Sequence, residues 1–151
     1  MLEIQALVSQ TNFGMPRRMA TGIDYNRMVL LMAVLEKRAG LELQTYDAYV
    51  NAAGGMKVEE PAVDLGIMCA IASSFKNIEI GSKMVVMGEV GLTGEIRGIS
   101  FIEKRLTEAY KLGFNSAIIP KDNLKAAKAV NGMKIYGVDN IYEALDAALG
   151  G

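Results

Sequence analysis

An α+β chain arranged as a two-layer α/β domain is the fold class that the sequence predicts. Three observations carry this expectation. Strand-like alternation and helix-like spacing succeed one another from end to end. Glycines punctuate two short apolar segments in the manner of a hairpin. The 151 residues are 51% hydrophobic and 22% charged, which suits one domain, 1–151, with one sizeable core.

Taken in order, Leu2 to Ser9 places Ile4, Ala6 and Val8 on one face and predicts a strand. Thr11 to Gly22 is polar and basic and holds Pro16, so a loop or irregular edge is expected. Asp24 can cap a helix in which Met28, Leu31, Met32 and Leu35 recur at helical spacing, ending near Gly40. Leu41 to Ala53 predicts a strand centred on Tyr49 and Val50, followed by a turn at Gly54-Gly55. Pro61 suits the first position of a helix running to Phe75. That helix is apolar nearly all round, and a buried helix is expected.

Met84 to Gly88 and Glu95 to Ile99 predict two strands of a hairpin, flanked by Gly88, Gly91, Gly94 and Gly98. Ser100 and Glu103 have the spacing of a capping box, opening a helix that ends at Gly113. Ala117 to Ile119 predicts a short strand, and Asp122 a cap for a helix to about Val130. Lys134 to Val138 predicts a strand, and Asn140 with Glu143 a last helix to Leu149.

Composition excludes several function classes. With no histidine, Ser-His and Cys-His nucleophile pairs and most zinc sites are ruled out. The lone Cys69 cannot form an internal disulfide or a C-x-x-C pair; on the buried helix it reads as a small core residue. No apolar run approaches the roughly 18 residues that span a bilayer. The start of the chain does not read as a signal peptide, so a cytoplasmic location and no membrane partner are expected. A net charge of −1 gives no general affinity for nucleic acid, though a local basic patch is compatible with it. The ten methionines suit core gap-filling.

The segment Gly88 to Gly94 spaces its glycines G-x-x-G-x-x-G. It lacks the lysine of a phosphate loop and the G-x-G-x-x-G of a dinucleotide turn, so tight turns explain it better. Glu59-Glu60 lies just before a helix, where the macrodipole favours carboxylates without any catalytic duty. One catalytic route stays open, a serine activated by a lysine of lowered pKa.

That route brings in a family. Gly54 to Asp64, Gly88 to Arg97 and Ile118 to Asn123 resemble the proteolytic domain of the Lon protease family, over about Leu2 to Leu149. The resemblance is closest to the C-terminal domain of one branch, the RadA (Sms) family of bacterial DNA-repair proteins. It is carried by Glu3 to Val8, Pro16 to Arg18, Gly22 to Arg27, Ala33 to Arg38, Glu60 to Leu65 and Gly88 to Arg97. It implies a fold like domain 2 of ribosomal protein S5 and assembly into homo-hexameric rings.

Position by position, the nucleophilic serine of the Lon G-P-S-A-G run falls at Ala62, and the lysine of its G-G-L-K-E-K run falls at Glu103. Neither residue can supply the dyad, so no catalytic residue and no peptidase activity are expected. Ser73-Ser74, about three turns further along the helix, do not replace it.

The family's zinc finger, RecA-like ATPase and K-N-R-F-G motif do not occur in these residues. ATP, magnesium and zinc are therefore expected in other domains and no cofactor in this one. The function implied is a non-proteolytic module of a recombination and branch-migration motor, serving ring assembly and DNA binding. Its implied partners are DNA, further copies of itself, its own ATPase domain and a RecA-type recombinase. Arg17, Arg18, Arg27, Lys37 and Arg38 are the nucleic-acid candidates, and they equally suit a solvated face. An active Lon-type peptidase and a pure protein-docking scaffold are the alternatives.

Overall fold

The structure is a computed structural model that describes residues 2–12, 14–53, 60–128 and 130–150. Strand β1 (Glu3–Gln10) and β2 (Arg18–Thr21) flank β3 (Tyr46–Ala53) in a first sheet of order β1-β3-β2. β1 runs antiparallel to β3 with Leu7 opposite Tyr49, and β2 runs parallel to it with Met19 opposite Tyr49. Helices α1 (Tyr25–Ala39), α2 (Asp64–Lys76) and α5 (Ile141–Leu149) pack on one another, and α2 also lies against β1.

A second sheet, β4-β7-β8, is all parallel: β4 (Met84–Val86), β7 (Ser116–Pro120) and β8 (Lys134–Val138). Its central strand buries both faces, as parallel sheets do. Ile118 joins the core with α1, α2 and α5, whereas Ala117 and Ile119 join a second cluster with Leu106 and Ala109 of α3 (Ile102–Lys111). The mixed α/β order expected from sequence is present, with layers on both faces of this sheet.

Local signals were reliable where a side chain meets its own backbone. Asp24 accepts from the N–H of Arg27, and Gly40 ends α1 at φ +71°. Asn140 accepts from the N–H of Glu143 at 3.0 Å. The Glu143 carboxylate reaches back to Asp139, one residue before the cap itself. Pro61 opens a short 3₁₀ turn, Pro61–Val63, that leads into α2.

Five expectations need correction. Thr11 to Gly22 contains β2, whose edge position and polar residues hide it. The strand after Gly40 starts at Tyr46, because Leu41 and Leu43 are buried within a turn. The hairpin joins β5 (Glu89–Val90) to β6 (Ile96–Arg97), while β4 pairs with β7 instead.

The Ser100–Glu103 capping box does not form. Phe101 takes the left-handed conformation, φ +61°, directly before α3, and Ser100 offers only its carbonyl, to Arg105. Asp122 is no cap, since a 3₁₀ turn, Lys121–Asn123, occupies that place and α4 (Leu124–Ala127) is a single turn. Asn123 instead bonds both the N–H and the C=O of Ile99. The Gly54-Gly55 turn and Glu59 lie outside the described residues.

Candidate functional site

Two groups of residues were singled out by sequence, and the fold treats them differently. Ala62 sits in the 3₁₀ turn before α2, 6% exposed, with its carbonyl accepting from the N–H of Gly88 at 2.9 Å. It lines an open groove of about 780 Å³. Glu103 stands on the solvent face of the first turn of α3. Two residues further on, Arg105 donates to the Ser100 carbonyl at 2.7 Å and forms an ion pair with Glu60, holding α3 against the approach to α2. A methyl group and an exposed carboxylate offer neither a nucleophile nor an amine base. Ser74 and Ser73 are engaged elsewhere, in bonds with the Val8 N–H and the Ile78 carbonyl.

The basic residues divide into inward and outward sets. Arg27 donates Nε to Asp64 Oδ1 at 2.9 Å, pairs again through Nη2, and reaches the Val90 carbonyl. Asp64 is 1% exposed and also accepts from the N–H of Val90 at 3.1 Å. The hydrogen bonds that Arg27 donates to Asp64, together with the carboxylate's charge, hold the guanidinium above its ordinary pKa against partial burial. Arg18 is half-buried and donates to Met32 Sδ and to the Leu43 carbonyl, with Glu36 at 3.9 Å.

Arg17, Lys37 and Arg38 are exposed. Lys37 and Arg38 lie in the last turn of α1, where cations suit the helix dipole. The Arg18–Glu36 contact places the Arg17 end of β2 beside that turn. Arg27 lies about 15 Å up the helix from Lys37.

Sequence reasoning passed over Asp64, which joins α1, α2 and the hairpin. A carboxylate at a helix start is unremarkable by itself, and its partner is 37 positions away. Cys69 is fully buried, and burial pushes its thiol up to about 12, as befits a core residue.

The β5–β6 turn carries its own charge lock. Hydrogen bonds from Thr93, its own backbone and Arg97 hold the Glu95 carboxyl down at about 2, from an ordinary 4.5. A carboxyl lowered on folding stabilises fully above its unfolded pKa and loses that effect as pH falls through the folded one. Glu95→Gln should therefore melt below the parent at pH 6 and match it near pH 2. Thermal unfolding at the two pH values checks this.

Among the described residues no helix is long and apolar enough to cross a membrane. No group of three or more histidine, cysteine, aspartate or glutamate side chains among them could hold a metal ion.

Against this geometry, comparison with known proteins places the chain in a class. It belongs to the family described as subunit ChlI of Mg-chelatase, whose model matches residues 23–123. Within its relatives it is a close homologue of one part of the DNA repair protein RadA. It is 56% identical to RadA of Bacillus subtilis over 151 residues, all of this chain and 33% of that protein. It is 54% identical to RadA of Halalkalibacterium halodurans over 150 residues, 99% of this chain and 33% of that one. RadA of Listeria monocytogenes is also 54% identical, over 149 residues. The chain thus spans about a third of the length of the curated relatives it matches.

Proposed function

We propose that this chain is a non-proteolytic, Lon-like domain, 1–151, of a RadA-type DNA-repair and recombination motor, with the S5 domain 2-like fold. It serves ring assembly and DNA binding in the cytoplasm. The observation that carries the reading is the pair Ala62 and Glu103. A methyl in the turn into α2 and an exposed carboxylate at the start of α3 stand at the two positions that the resemblance assigns to the serine and lysine of peptide hydrolysis. ATP, magnesium and zinc belong in this reading to other domains of the full-length protein. Its partners are DNA, further copies of the chain, its own ATPase domain and a RecA-type recombinase.

The burial pattern favours the exposed Lys37 and Arg38 over Arg18 and Arg27 as the DNA-facing cations, since the latter two spend their guanidinium groups inside the fold. Duplex binding by the assembled protein should weaken as salt rises. Lys37→Glu with Arg38→Glu should flatten the plot of log affinity against log salt by about one unit for each phosphate no longer neutralised. A parent protein whose duplex affinity ignores salt would overturn the DNA part of the proposal. Casein turnover that survives purification would overturn the non-proteolytic part.

A further inference from the structure

Phe101 has two properties that the packing of the domain does not require. Its ring is 73% exposed, although Ile99 and Ile102 on either side pack into the second core cluster. Its backbone is left-handed, at φ +61° and ψ +38°, a conformation that crowds the Cβ of any L-residue and that glycine adopts without strain. Such a conformation persists only where neighbouring bonds over-determine it, and here they do. The side-chain amide of Asn123 accepts from the Ile99 N–H at 2.9 Å and donates to the Ile99 carbonyl at 3.0 Å. Arg105 donates to the Ser100 carbonyl through Nε at 2.7 Å and to the Phe101 carbonyl through its backbone N–H at 3.0 Å. Three successive residues are thus fixed, and the ring is held out in water.

The surroundings of that ring are basic. Residues 100–134 hold seven lysines and arginines against three acids, in a chain whose net charge is −1. Lys104 stands in the first turn of α3, three residues after Phe101. Lys121 and Lys125 lie on either side of Asn123, the residue that clamps Ile99. All three lysines are exposed, with Glu103 and Asp122 as exposed acids among them. A Cβ at Gly98 would lie 3.4 Å from Asp122 Cβ, so the turn that carries Lys121 packs against the segment leading to Phe101. Lys37 and Arg38 belong to a different place, the end of α1, where the Arg38 stem lies against Gly94.

We propose that this patch binds single-stranded DNA, with a base stacked on Phe101 and the adjacent phosphates held by Lys104, Lys121 and Lys125. Single strands are bound where an open aromatic face stands among cations that track the backbone. A ring whose backbone is already fixed loses little freedom when a base lands on it, which gives the strained conformation a use. Duplex DNA keeps its base faces within its own stack, so it meets the lysines and not the ring. An acidic protein segment would be drawn to the same lysines, but it has no row of flat faces in step with its charges. The proposal rests on the DNA reading above and adds to it a second place of contact, one that selects unpaired strand. The sequence hides this place, because its cations are spread from Lys104 to Lys125 and meet only through the Asn123 clamp.

The chain has no tryptophan, so Phe101→Trp places a single fluorophore at the proposed contact. Titration of that variant, assembled, with an oligothymidylate should quench its emission saturably. An abasic oligomer of the same length and a blunt duplex should leave the emission unchanged. By fluorescence anisotropy, Phe101→Gly should bind the oligothymidylate about tenfold more weakly than the parent and keep its duplex affinity within about twofold. Glycine suits the left-handed backbone, so this variant should melt close to the parent, and its lost binding then reports the missing ring. Lys121→Glu with Lys125→Glu should flatten the salt dependence of single-strand binding by about 0.7 for each phosphate no longer neutralised. Absence of single-strand binding by the parent overturns the proposal. So does binding without quenching, equal quenching by the abasic oligomer, or undiminished single-strand binding by Phe101→Gly, and these three leave duplex binding at Lys37 and Arg38 standing. Quenching by the oligothymidylate without any duplex binding would support the patch and overturn only the placement of duplex on Lys37 and Arg38.

Discussion

Arg27→Ala should cost the fold about 3–5 kcal/mol, the range for breaking a buried ion pair from one side. The charge at stake is that of Asp64, which is 1% exposed, whereas the Arg27 side chain keeps 34% of its surface. Removing the guanidinium deletes both of its bonds to the carboxylate and leaves the Val90 N–H as the remaining donor. A carboxylate so enclosed cannot recover its hydration without opening the junction between α1, α2 and β5.

For a chain of this length the loss corresponds to a fall in melting temperature of roughly 6–20 °C. Lys37→Ala, an exposed change on the same helix, should move it by about 2 °C or less, as surface substitutions generally do. The double change Arg27→Met with Asp64→Asn should cost less than Arg27→Ala, because no buried charge is then left alone. Equal costs for the single and the double change would refute the account. Weak DNA binding by an Arg27 variant would accordingly reflect a damaged fold before a missing bond to phosphate.

The elements that could be read from sequence are those whose signals are local. Asp24, Gly40 and Asn140 act within five residues of themselves, and each stands where the pattern placed it, whereas Pro61 opens a 3₁₀ turn and α2 begins three residues later, at Asp64. The buried character of α2 was also legible, because an all-apolar helix has one solution in water. What failed depended on partners far away in the chain. β2 is a strand because β3 lies beside it, with Ala20 opposite Val50. Met84 to Val86 is drawn to β7 across some thirty positions instead of to the nearer segment after Gly94. The Ser100 box lost to a left-handed Phe101, a conformation that few sequence rules would grant a phenylalanine.

The candidate site divides in the same way. The positions of Ala62 and Glu103 came from motif order, which is local. That Arg27 faces inward while Lys37 faces solvent is a property of the assembled core, and composition gives the two cations the same weight.

Leu65→Ala should cost about 2–5 kcal/mol, the usual range for emptying a fully buried leucine site. Leu65 has no exposed surface, and its N–H donates to the Gly88 carbonyl at 3.0 Å, so its backbone cannot easily shift to fill the void. Gly88 shows how tight the site is. A Cβ there would stand 3.1 Å from Ile96 Cγ2, 3.3 Å from Leu65 Cδ2 and 3.5 Å from Pro120 Cγ. Gly88→Ala alone should therefore destabilise by about 1–3 kcal/mol through overpacking. Combined with Leu65→Ala, the new methyl gains room on one of its two crowded sides, and the void loses volume. The double variant should be less destabilised than the sum of the singles, by about 0.5–3 kcal/mol. Urea unfolding of the four proteins measures this coupling. Additivity to within about 0.5 kcal/mol would mean that Leu65 and Gly88 do not share the space the structure assigns them. A clear coupling would establish that the entry of α2 and the segment following β4 are packed as one unit.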